Sequence, residues 1–355
     1  MNKKFTVVEL FAGAGGLALG LEKAGLKTIF LNENNKDAVK TLIKNRPKWD
    51  VNNEDIKNVS FKGIKADVVT GGFPCQAFSY AGKKLGFEDT RGTLFFEFSR
   101  AVKEIQPKIF IAENVAGLVS HDKGRTLKTI LKIFKEDLDH YDVEYKVLNS
   151  VDFSVPQKRK RIIIVGTKKR IKFNFPKEHK KIITVGEALK NVPKSEGTTY
   201  SEKRKKIMKL IPPGGCWINL PEDIKKEYMG VSINSGGGKR GMARRISWDE
   251  PCLTLTTSPS QKQTERCHPK ETRPFTVREY ARIQTFPDDW KFEGSISSQY
   301  KQIGNAVPVK LAKEIGKEIV KALKSFEQDY DILKIKNLLE KLLNEHIGKS
   351  GGLKL

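Results

Sequence analysis

One cysteine in this chain stands between a proline and a glutamine, in the stretch GGFPCQAFSY at residues 71–80. The thiolate of Cys75 would be a strong nucleophile, but an ordinary cysteine thiol with a pKa of about 8.5 is only a few per cent ionised at neutral pH. Nearby positive charge or backbone dipoles would therefore have to raise the thiolate fraction. The alternative is that Cys75 is a small buried side chain without a chemical role.

Three other charged residues have positions that could assist a nucleophile. Glu113 directly follows the apolar run KIFIA, at the expected carboxyl end of a strand, where burial favours the protonated acid that can donate a hydrogen bond. In QKRKRIIIVG, the alternation of a strand places Gln157, Arg159 and Arg161 on one face. The two arginines could hold a carboxylate, a base or a phosphate. The alternative for Glu113 is a structural ion pair with an arginine. The alternative for the two arginines is a solvated basic strand end.

A glycine-rich turn follows the first apolar run, in VVELFAGAGG. Gly13 and Gly15 would let a ligand lie against the backbone at the carboxyl edge of a parallel sheet. Glu33 ends the second apolar run, where it could accept hydrogen bonds from ribose hydroxyls, and Asp55 stands where a third strand would contact an adenine. A plain tight turn and two ordinary loop carboxylates are the alternatives.

A sheet must present these residues together at one edge. Short apolar runs alternate with amphipathic stretches up to residue 166, which predicts an α/β fold with a doubly wound, mostly parallel sheet. The predicted strands are 5–10, 28–31, 67–70, 108–112, 143–148 and 161–165. The predicted helices lie near 14–24, 36–45, 93–105 and 125–138.

Changes in composition divide the chain into four predicted segments. Residues 1–174 would form a catalytic and cofactor-binding domain, and residues 175–272, rich in Gly, Pro, Ser and Thr, a smaller loop-rich domain. Residues 273–325 return to a helical pattern and would complete the first domain. Residues 326–355, which contain ILKIKNLLEKLL, predict a C-terminal amphipathic helix with a frayed end.

Charge and cysteine usage limit the classes of function. The chain has 355 residues with 66 basic and 42 acidic side chains, a net charge of +24, which favours a polyanionic partner such as nucleic acid. A lysine-rich proteome is the alternative explanation. The four cysteines lack the spacing of a metal site, and the chain has neither a membrane-spanning run nor a signal peptide. We therefore expect a cytoplasmic protein without a metal or a membrane partner.

Six stretches occur in the order found in cytosine-C5 DNA methyltransferases: ELFAGAGG, GGFPCQAFS, AENV, QKRKRIIIVG, RPFTVREYARIQTFPDDW and QIGNAVPV. Over residues 5–320 the sequence resembles that family, in its bacterial restriction–modification type. The resemblance implies a Rossmann-like fold that uses S-adenosylmethionine (SAM) and acts on double-stranded DNA. Its implied cofactor contacts in this chain are Phe11, Gly13, Gly15, Glu33, Asp55, Ile56, Pro74, Leu94 and Asn305.

The resemblance also implies a mechanism and a recognition region. Cys75 would add to carbon 6 of a flipped-out cytosine, and Glu113, Arg159 and Arg161 would complete the catalytic set. Residues 175–272 would read the DNA sequence. The expected DNA contacts are Gln76, Ser79 and Arg91 to the target nucleotide's backbone, and Arg240, Arg244, Arg245, Gln261, Gln263 and Arg266 to bases, although many arginines grip only phosphate.

Two other functions stay open at this stage. The same fold and chemistry would serve a tRNA cytosine-5 methyltransferase, and a catalytically silent homologue could bind DNA alone. The expected partners are DNA and, without a stable complex, a cognate restriction endonuclease. We expect the protein to act as a monomer.

Overall fold

The computed structural model describes residues 4–73, 94–138, 140–230, 233 and 241–350. Seven of its strands form one sheet, and two short strands form a second. The strands are β1 (Thr6–Leu10), β2 (Lys27–Asn32), β3 (Val51–Asn52), β4 (Val68–Gly71), β5 (Ile109–Val115), β6 (Tyr141–Asn149), β7 (Gln157–Lys158), β8 (Lys160–Lys168) and β9 (Cys252–Leu253).

Ten α-helices are described in the same part of the chain. They are α1 (Gly16–Lys23), α2 (Lys36–Asn45), α3 (Leu94–Ile105), α4 (Arg125–Asp137), α5 (Val185–Leu189), α6 (Glu202–Lys209), α7 (Glu222–Met229), α8 (Val277–Ile283), α9 (Ile296–Asn305) and α10 (Val309–Ser350). None of these described helices combines the length and the apolar character that a membrane crossing needs.

The large sheet has the strand order β3-β2-β1-β4-β5-β8-β6. Strands β1 to β5 pair in parallel, whereas β8 runs antiparallel to both of its neighbours. The predicted mostly parallel, doubly wound sheet is confirmed. Because β1, β2, β4 and β5 run in the same direction, their carboxyl ends meet at one edge, which is where such folds bind ligands.

Alternate residues of the strands enter two separate cores, one on each face of the sheet. Val8, Phe110 and Ile162 pack against α3 and α4 in one core. Val7 and Ile163 pack against α1 and α10 in the other. A sheet covered on both faces needs apolar residues at nearly every position of its central strands, and this explains the near-continuous apolar runs in the sequence.

The chain returns through α10 to the core on the α1 face of the sheet. This helix lies so close to α1 that a side chain at Gly20 would place its Cβ 2.3 Å from the Cβ of Ala312. The helix continues without a break through residue 326, where the sequence analysis predicted a separate tail to begin. Side chains 328–340 are all exposed, so the burial ends near the predicted boundary even though the helix does not.

The loop-rich region between residues 175 and 272 has a small core of its own. Met208, Leu220 and Met229 are buried there together with Tyr228 and Cys267. Helix α5 packs elsewhere, against the core built by the return segment around residues 275–309. The boundaries that the sequence predicts for these domains stay a prediction.

Candidate active site

A cavity of about 670 Å³ lies at the carboxyl edge of the large sheet and is closed on one side by α9. It is large enough for a nucleotide-sized cofactor together with part of a second substrate. Seven of the residues predicted from the sequence line this cavity: Phe11, Gly13, Glu33, Glu113, Arg159, Arg161 and Asn305. Residues roughly 300 positions apart in the sequence are thus brought to one place.

The glycine turn forms the floor of the cavity on one side. Glu33 accepts hydrogen bonds from the backbone N–H of Gly13, at 2.7 Å, and from that of Asn35, at 2.8 Å. Both bonds lock the turn against the end of β2. A Cβ added at Gly13 would meet no atom within 4 Å, so the backbone is open to a ligand there, and the left-handed φ of +54° favours glycine.

Gly15 and Phe11 shape the same turn in different ways. Gly15 precedes the first residue of α1 and has a φ of +79°, but it does not line the cavity. Phe11 lines the cavity with its backbone at φ +56°, an uncommon conformation for a residue with a side chain. Backbone strain of this kind occurs where a fold must present a residue at a ligand site.

Glu113 and Arg161 form an ion pair at the other end of the cavity. The Arg161 Nε lies 2.9 Å from the Glu113 Oε1, and each side chain is 12% exposed. This contact is the carboxylate–arginine pair that the sequence analysis gave as an alternative, and the acid role of Glu113 stays a prediction. Gly72 leaves room for this carboxylate, because a Cβ there would lie 2.9 Å from the Glu113 Oε2.

Arg159 is buried and connects three segments. Its guanidinium donates to the backbone carbonyls of Leu255, at 3.0 Å, and Gly304, at 2.9 Å. Burial, together with the positive charge of Arg161, lowers the pKa of Arg159 to about 9. These hydrogen bonds tie the cavity wall together, and the catalytic role of Arg159 stays a prediction.

Two amide side chains support this wall. The Gln157 side chain is fully buried and its Oε1 accepts from the Leu255 N–H at 2.9 Å. The Asn114 Nδ2 donates to the Phe73 carbonyl at 2.9 Å, which ties the chain after β4 to β5. Pro74, Cys75, Gln76, Ser79, Arg91 and Arg240, all predicted as site residues, lie outside the described residues.

Besides Gly15, three other described residues of the predicted cofactor set do not line the cavity. The exposed Asp55 carboxylate accepts from the Lys57 N–H at 3.0 Å, capping a short 3₁₀ helix, and Ile56 is buried in the core beside α3. Leu94 begins α3 and packs against the same core. A cofactor contact by these residues stays a prediction.

The sequence analysis missed part of the lining. Ser298, Lys301 and Gln302 face the cavity together with Asn305, at the i, i+3, i+4, i+7 spacing of one helix face. That spacing could have identified them. Glu9 also lines the cavity, although it lies inside an apolar strand. An acidic residue in a buried run just before a glycine turn was the available sign.

Two of the arginines predicted to contact bases are buried and donate hydrogen bonds within the protein. Arg245 is 4% exposed and is saturated by hydrogen bonds of 2.6–3.1 Å. Its acceptors are the carbonyls of Met208, Ile211, His268 and Glu271 and the hydroxyl of Thr272. Arg266, equally buried, donates to the carbonyls of Thr254 and Glu265.

This burial corrects the prediction for Arg245 and Arg266. A contact with a base edge would require either side chain to leave carbonyls that would then be buried without a donor. We therefore assign both residues a structural role. Gln261 and Gln263 are exposed, and Arg244 is half-buried, so these three stay open as predicted DNA contacts.

A second, open pocket of about 470 Å³ adjoins the cavity at Val115 and Arg161. Two lysines, Lys158 and Lys160, line it together with Asn149 and Thr254. Its basic lining suits an anionic ligand. Among the described residues, no three His, Cys, Asp or Glu side chains form a group that could hold a metal ion.

The fold and the site define a class of protein. A glycine turn and an acidic strand end at the carboxyl edge of a doubly wound sheet bind a nucleotide-containing cofactor. A carboxylate–arginine pair lies at the far end of the same cavity. The protein is therefore an enzyme of the Rossmann-like, cofactor-dependent class.

The chain belongs to the C-5 cytosine-specific DNA methylase family, whose profile matches residues 5–321. It is 59% identical over 335 residues to the Type II methyltransferase M.Eco47II of Escherichia coli, covering 91% of this chain and 80% of that protein. It is 57% identical over 336 residues to the Type II methyltransferase M.Sau96I of Staphylococcus aureus, covering 92% and 78%.

Solved structures share the fold. The Entamoeba histolytica methyltransferase EhMeth superposes with a TM-score of 0.62 at 17% identity, covering 91% of this chain and 99% of that one. The protein is accordingly a DNA cytosine-5 methyltransferase, and its family uses SAM. The predictions of family, fold class and activity from the sequence are confirmed.

Proposed function

We propose that this enzyme methylates carbon 5 of a flipped-out cytosine within a specific duplex DNA sequence, through a covalent adduct of Cys75. The observation that carries this proposal is the shape of the cavity. Glu33 and Glu113 stand at the ends of strands separated by two others, so by strand spacing they lie about 14 Å apart. The cavity thus offers one end to a cofactor and the other to a base.

The lining fits SAM. Gly13 offers an open backbone, Glu33 could accept from ribose hydroxyls, and Phe11 and Asn305 flank the turn from opposite walls. When bound, SAM supplies a methyl group on a positively charged sulphur. The role of the protein is to hold the target carbon beside that methyl group and to exclude water.

Glu113 and Arg161 would bind the base. The Glu113 side chain can face the N3 and amino edge of cytosine while Arg161 holds it in place, and its acid form would donate a hydrogen bond to N3. A hydrogen bond at N3 stabilises the charge that develops on the ring when a nucleophile adds to carbon 6.

Cys75 is the proposed nucleophile, although it lies outside the described residues. Its thiolate would form an S–C bond at carbon 6, which makes carbon 5 nucleophilic enough to take the methyl group, with S-adenosylhomocysteine as the leaving group. A base then removes the proton from carbon 5, the S–C bond breaks, and the thiolate leaves. The cysteine is regenerated, so no oxidant or reductant is needed.

The open basic pocket would hold the DNA backbone next to the extracted base. Lys158 and Lys160 line this pocket, and Arg161 is shared with the catalytic cavity. A net charge of +24 supports the same partner. Contacts from Gln76, Ser79, Arg91 and Arg240, and base reading by Arg244, Gln261 and Gln263, belong to this proposal.

Two relatives at more than 55% identity are named Type II methyltransferases. By this similarity we infer that the enzyme protects DNA in a bacterial restriction–modification system. It would act in the cytoplasm as a monomer, without a stable complex with the endonuclease.

The test is methyl transfer from labelled SAM to duplex DNA and to tRNA. We expect label in DNA only, and a loss of at least about 10³-fold in Cys75→Ser, the scale seen when an enzyme loses its nucleophile. DNA binding by that variant should stay near that of the unaltered protein, because docking precedes the chemical step. Labelled tRNA, or near-normal turnover by Cys75→Ser, would contradict the proposal.

A further inference from the structure

Two glutamines lie buried between the cavity and the loop-rich region. Gln157 in β7 and Gln284, which follows α8, are both 0% exposed, although glutamine is mostly an exposed residue type. The Gln157 Nε2 donates a hydrogen bond to the Gln284 Oε1 across 127 positions of the sequence. The proposed mechanism gives Gln284 no task, so this buried pair requires its own explanation.

The hydrogen bonds around the pair allow only one orientation of each amide. The Leu255 N–H donates to the Gln157 Oε1 at 2.9 Å. At the other end, the Gln284 Nε2 donates to the carbonyls of Ile303, at 2.9 Å, and Ala306, at 2.7 Å. A backbone N–H can only donate and a carbonyl can only accept, so a flip of either amide would oppose two donors or two acceptors. These bonds therefore form a directional chain, the amide relay, that runs from Leu255 to the end of α9.

One end of the amide relay holds the last turn of α9. Carbonyls at the end of a helix lack their i+4 partners within it, and Gln284 supplies a donor to two of them. The chain leaves the helix in an extended conformation at Ala306. Asn305, Ala306 and Val307 line the cavity at this point. Gln284 thus fixes the turn that presents Asn305, a predicted cofactor contact.

The other end of the amide relay reaches the open basic pocket. Leu255 follows Thr254, which lines that pocket beside Lys158, and the Thr254 Oγ1 donates to the Lys158 carbonyl at 2.7 Å. The same segment touches α9 directly, because a Cβ added at Gly304 would lie 2.0 Å from the Thr256 carbonyl oxygen. The basic pocket and the cavity therefore share one wall, and the amide relay lies inside it.

We propose that Gln157 and Gln284 are positioning residues through which DNA in the basic pocket orders the cofactor wall of the cavity. This inference rests on the proposed function, which takes DNA and SAM as the ligands of the two sites. A backbone phosphate held by Lys158 would restrain the adjoining residues 254–255, and the amide relay would pass that restraint to the last turn of α9. Because the second ligand then meets a wall that is already ordered, each ligand should raise the affinity for the other.

Neither glutamine touches a ligand in this proposal. Both are absent from the described linings of the cavity and of the basic pocket. Arg159 makes a second link between the same segments, through the carbonyls of Leu255 and Gly304, but it belongs to the predicted catalytic set. The glutamines can therefore be changed without removing a ligand contact, whereas Arg159 cannot.

The experiment is calorimetric titration of the full-length protein with S-adenosylhomocysteine, with and without a duplex that the unaltered enzyme methylates. This product of SAM fits the same site and transfers no methyl group to the DNA. We expect the duplex to raise the affinity of the unaltered protein by about fivefold or more. Gln284→Met, which is similar in size but has no N–H donor, should remove most of this increase. A merely structural loss would weaken binding equally with and without DNA and would keep the ratio of the two affinities.

The matched control is Gln299→Met on the same helix. The Gln299 Nε2 also donates to a carbonyl, that of Gly294, at 2.9 Å, but this bond lies outside the amide relay. The control variant should keep the full increase. Gln157→Met should reduce the increase as much as Gln284→Met does, and the double variant should lose no more, because the two amides act in series. Additive losses would indicate two independent contacts and overturn the relay.

Two further results would overturn the proposal: no effect of the duplex on the affinity of the unaltered protein, or an unchanged effect in Gln284→Met. Should the glutamine variants fail to fold, hydrogen exchange in the unaltered protein decides the question. The duplex alone should slow the exchange of the backbone amides at residues 303–307, and unchanged exchange there would contradict the relay. If the unaltered protein binds neither SAM nor S-adenosylhomocysteine, the proposed function itself fails.

Discussion

The sheet-edge cavity and the loop-rich region both contain buried charged side chains, but they use them differently. At the cavity, Glu9 keeps an oxygen without a partner, and Gly13 leaves its backbone open. In the loop-rich region, Arg245 is saturated by four carbonyls and a hydroxyl. The unpartnered Glu9 oxygen belongs to a residue that lines a cavity, whereas the saturated Arg245 forms a structural crosslink.

The reason for the difference lies in the amount of regular structure. Strands and helices satisfy their own backbone groups, so the sheet can leave side chains free for a ligand. Many backbone carbonyls of the loop-rich region are not hydrogen-bonded within a helix or a sheet. The buried side chains of Arg245 and Arg266 donate hydrogen bonds to several of these carbonyls. A buried arginine in such a region performs the task that a strand partner performs in the sheet.

The largest effect is expected at the cavity. Glu113→Gln should lower kcat by about 10²–10⁴-fold, because the amide keeps the shape of the side chain but cannot give a proton to N3 of the base. The measurement is single-turnover methyl transfer to a duplex substrate. SAM affinity is the control and should be unchanged, since Glu113 stands three strands from Glu33. A kcat within tenfold of normal would remove Glu113 from the catalytic set.

A smaller effect, on stability instead of chemistry, is expected in the loop-rich region. Arg245→Ala should lower the free energy of unfolding by about 2–4 kcal/mol, because it leaves buried carbonyls without donors. The measurement is denaturant unfolding, with the exposed Gln263→Ala as a matched control expected to stay within about 0.5 kcal/mol. If Arg245→Ala kept full stability but changed the methylated sequence, Arg245 would be a reading residue after all.

The smallest effect is expected from the exposed amides. If the residue contacts a base, Gln261→Ala or Gln263→Ala should reduce the discrimination against other bases at one position of the target site by about 1–3 kcal/mol. The stability of the protein should not change. Bisulfite sequencing of a methylated random duplex library gives the preference at each position. Equal weakening on all sequences would indicate a phosphate contact, and an unchanged library profile would exclude the residue from DNA recognition.

Local sequence patterns were sufficient to predict most strands of the sheet and several residues that line the cavity. The glycine turn, Glu33 and Glu113 each stand at the end of an apolar run, and parallel strands must bring such ends together. Strand β3 was missed because its two residues are too short to show an alternation. Glu9 was missed because one acidic residue does not change the pattern of a buried strand.

The remaining errors concern what a side chain faces. No pattern of residue types distinguishes an arginine that contacts guanine from one that donates hydrogen bonds to backbone carbonyls. The sequence therefore led to a wrong prediction of base contacts for Arg245 and Arg266. The spacing in QKRKR correctly put Arg159 and Arg161 beside the cavity, but only the fold shows that one is paired with Glu113 and the other with Leu255 and Gly304. Local sequence does not contain that long-range information.

The two walls of the cavity are made at different times. Gly13 belongs to the first strand and turn, whereas Asn305 is roughly 290 residues further along, at the end of α9. At 5–20 residues per second, a ribosome needs roughly 15–60 s to synthesise the second wall after the first. A nascent chain therefore emerges with half of the predicted cofactor site, and the cavity is complete only once α9 has been synthesised.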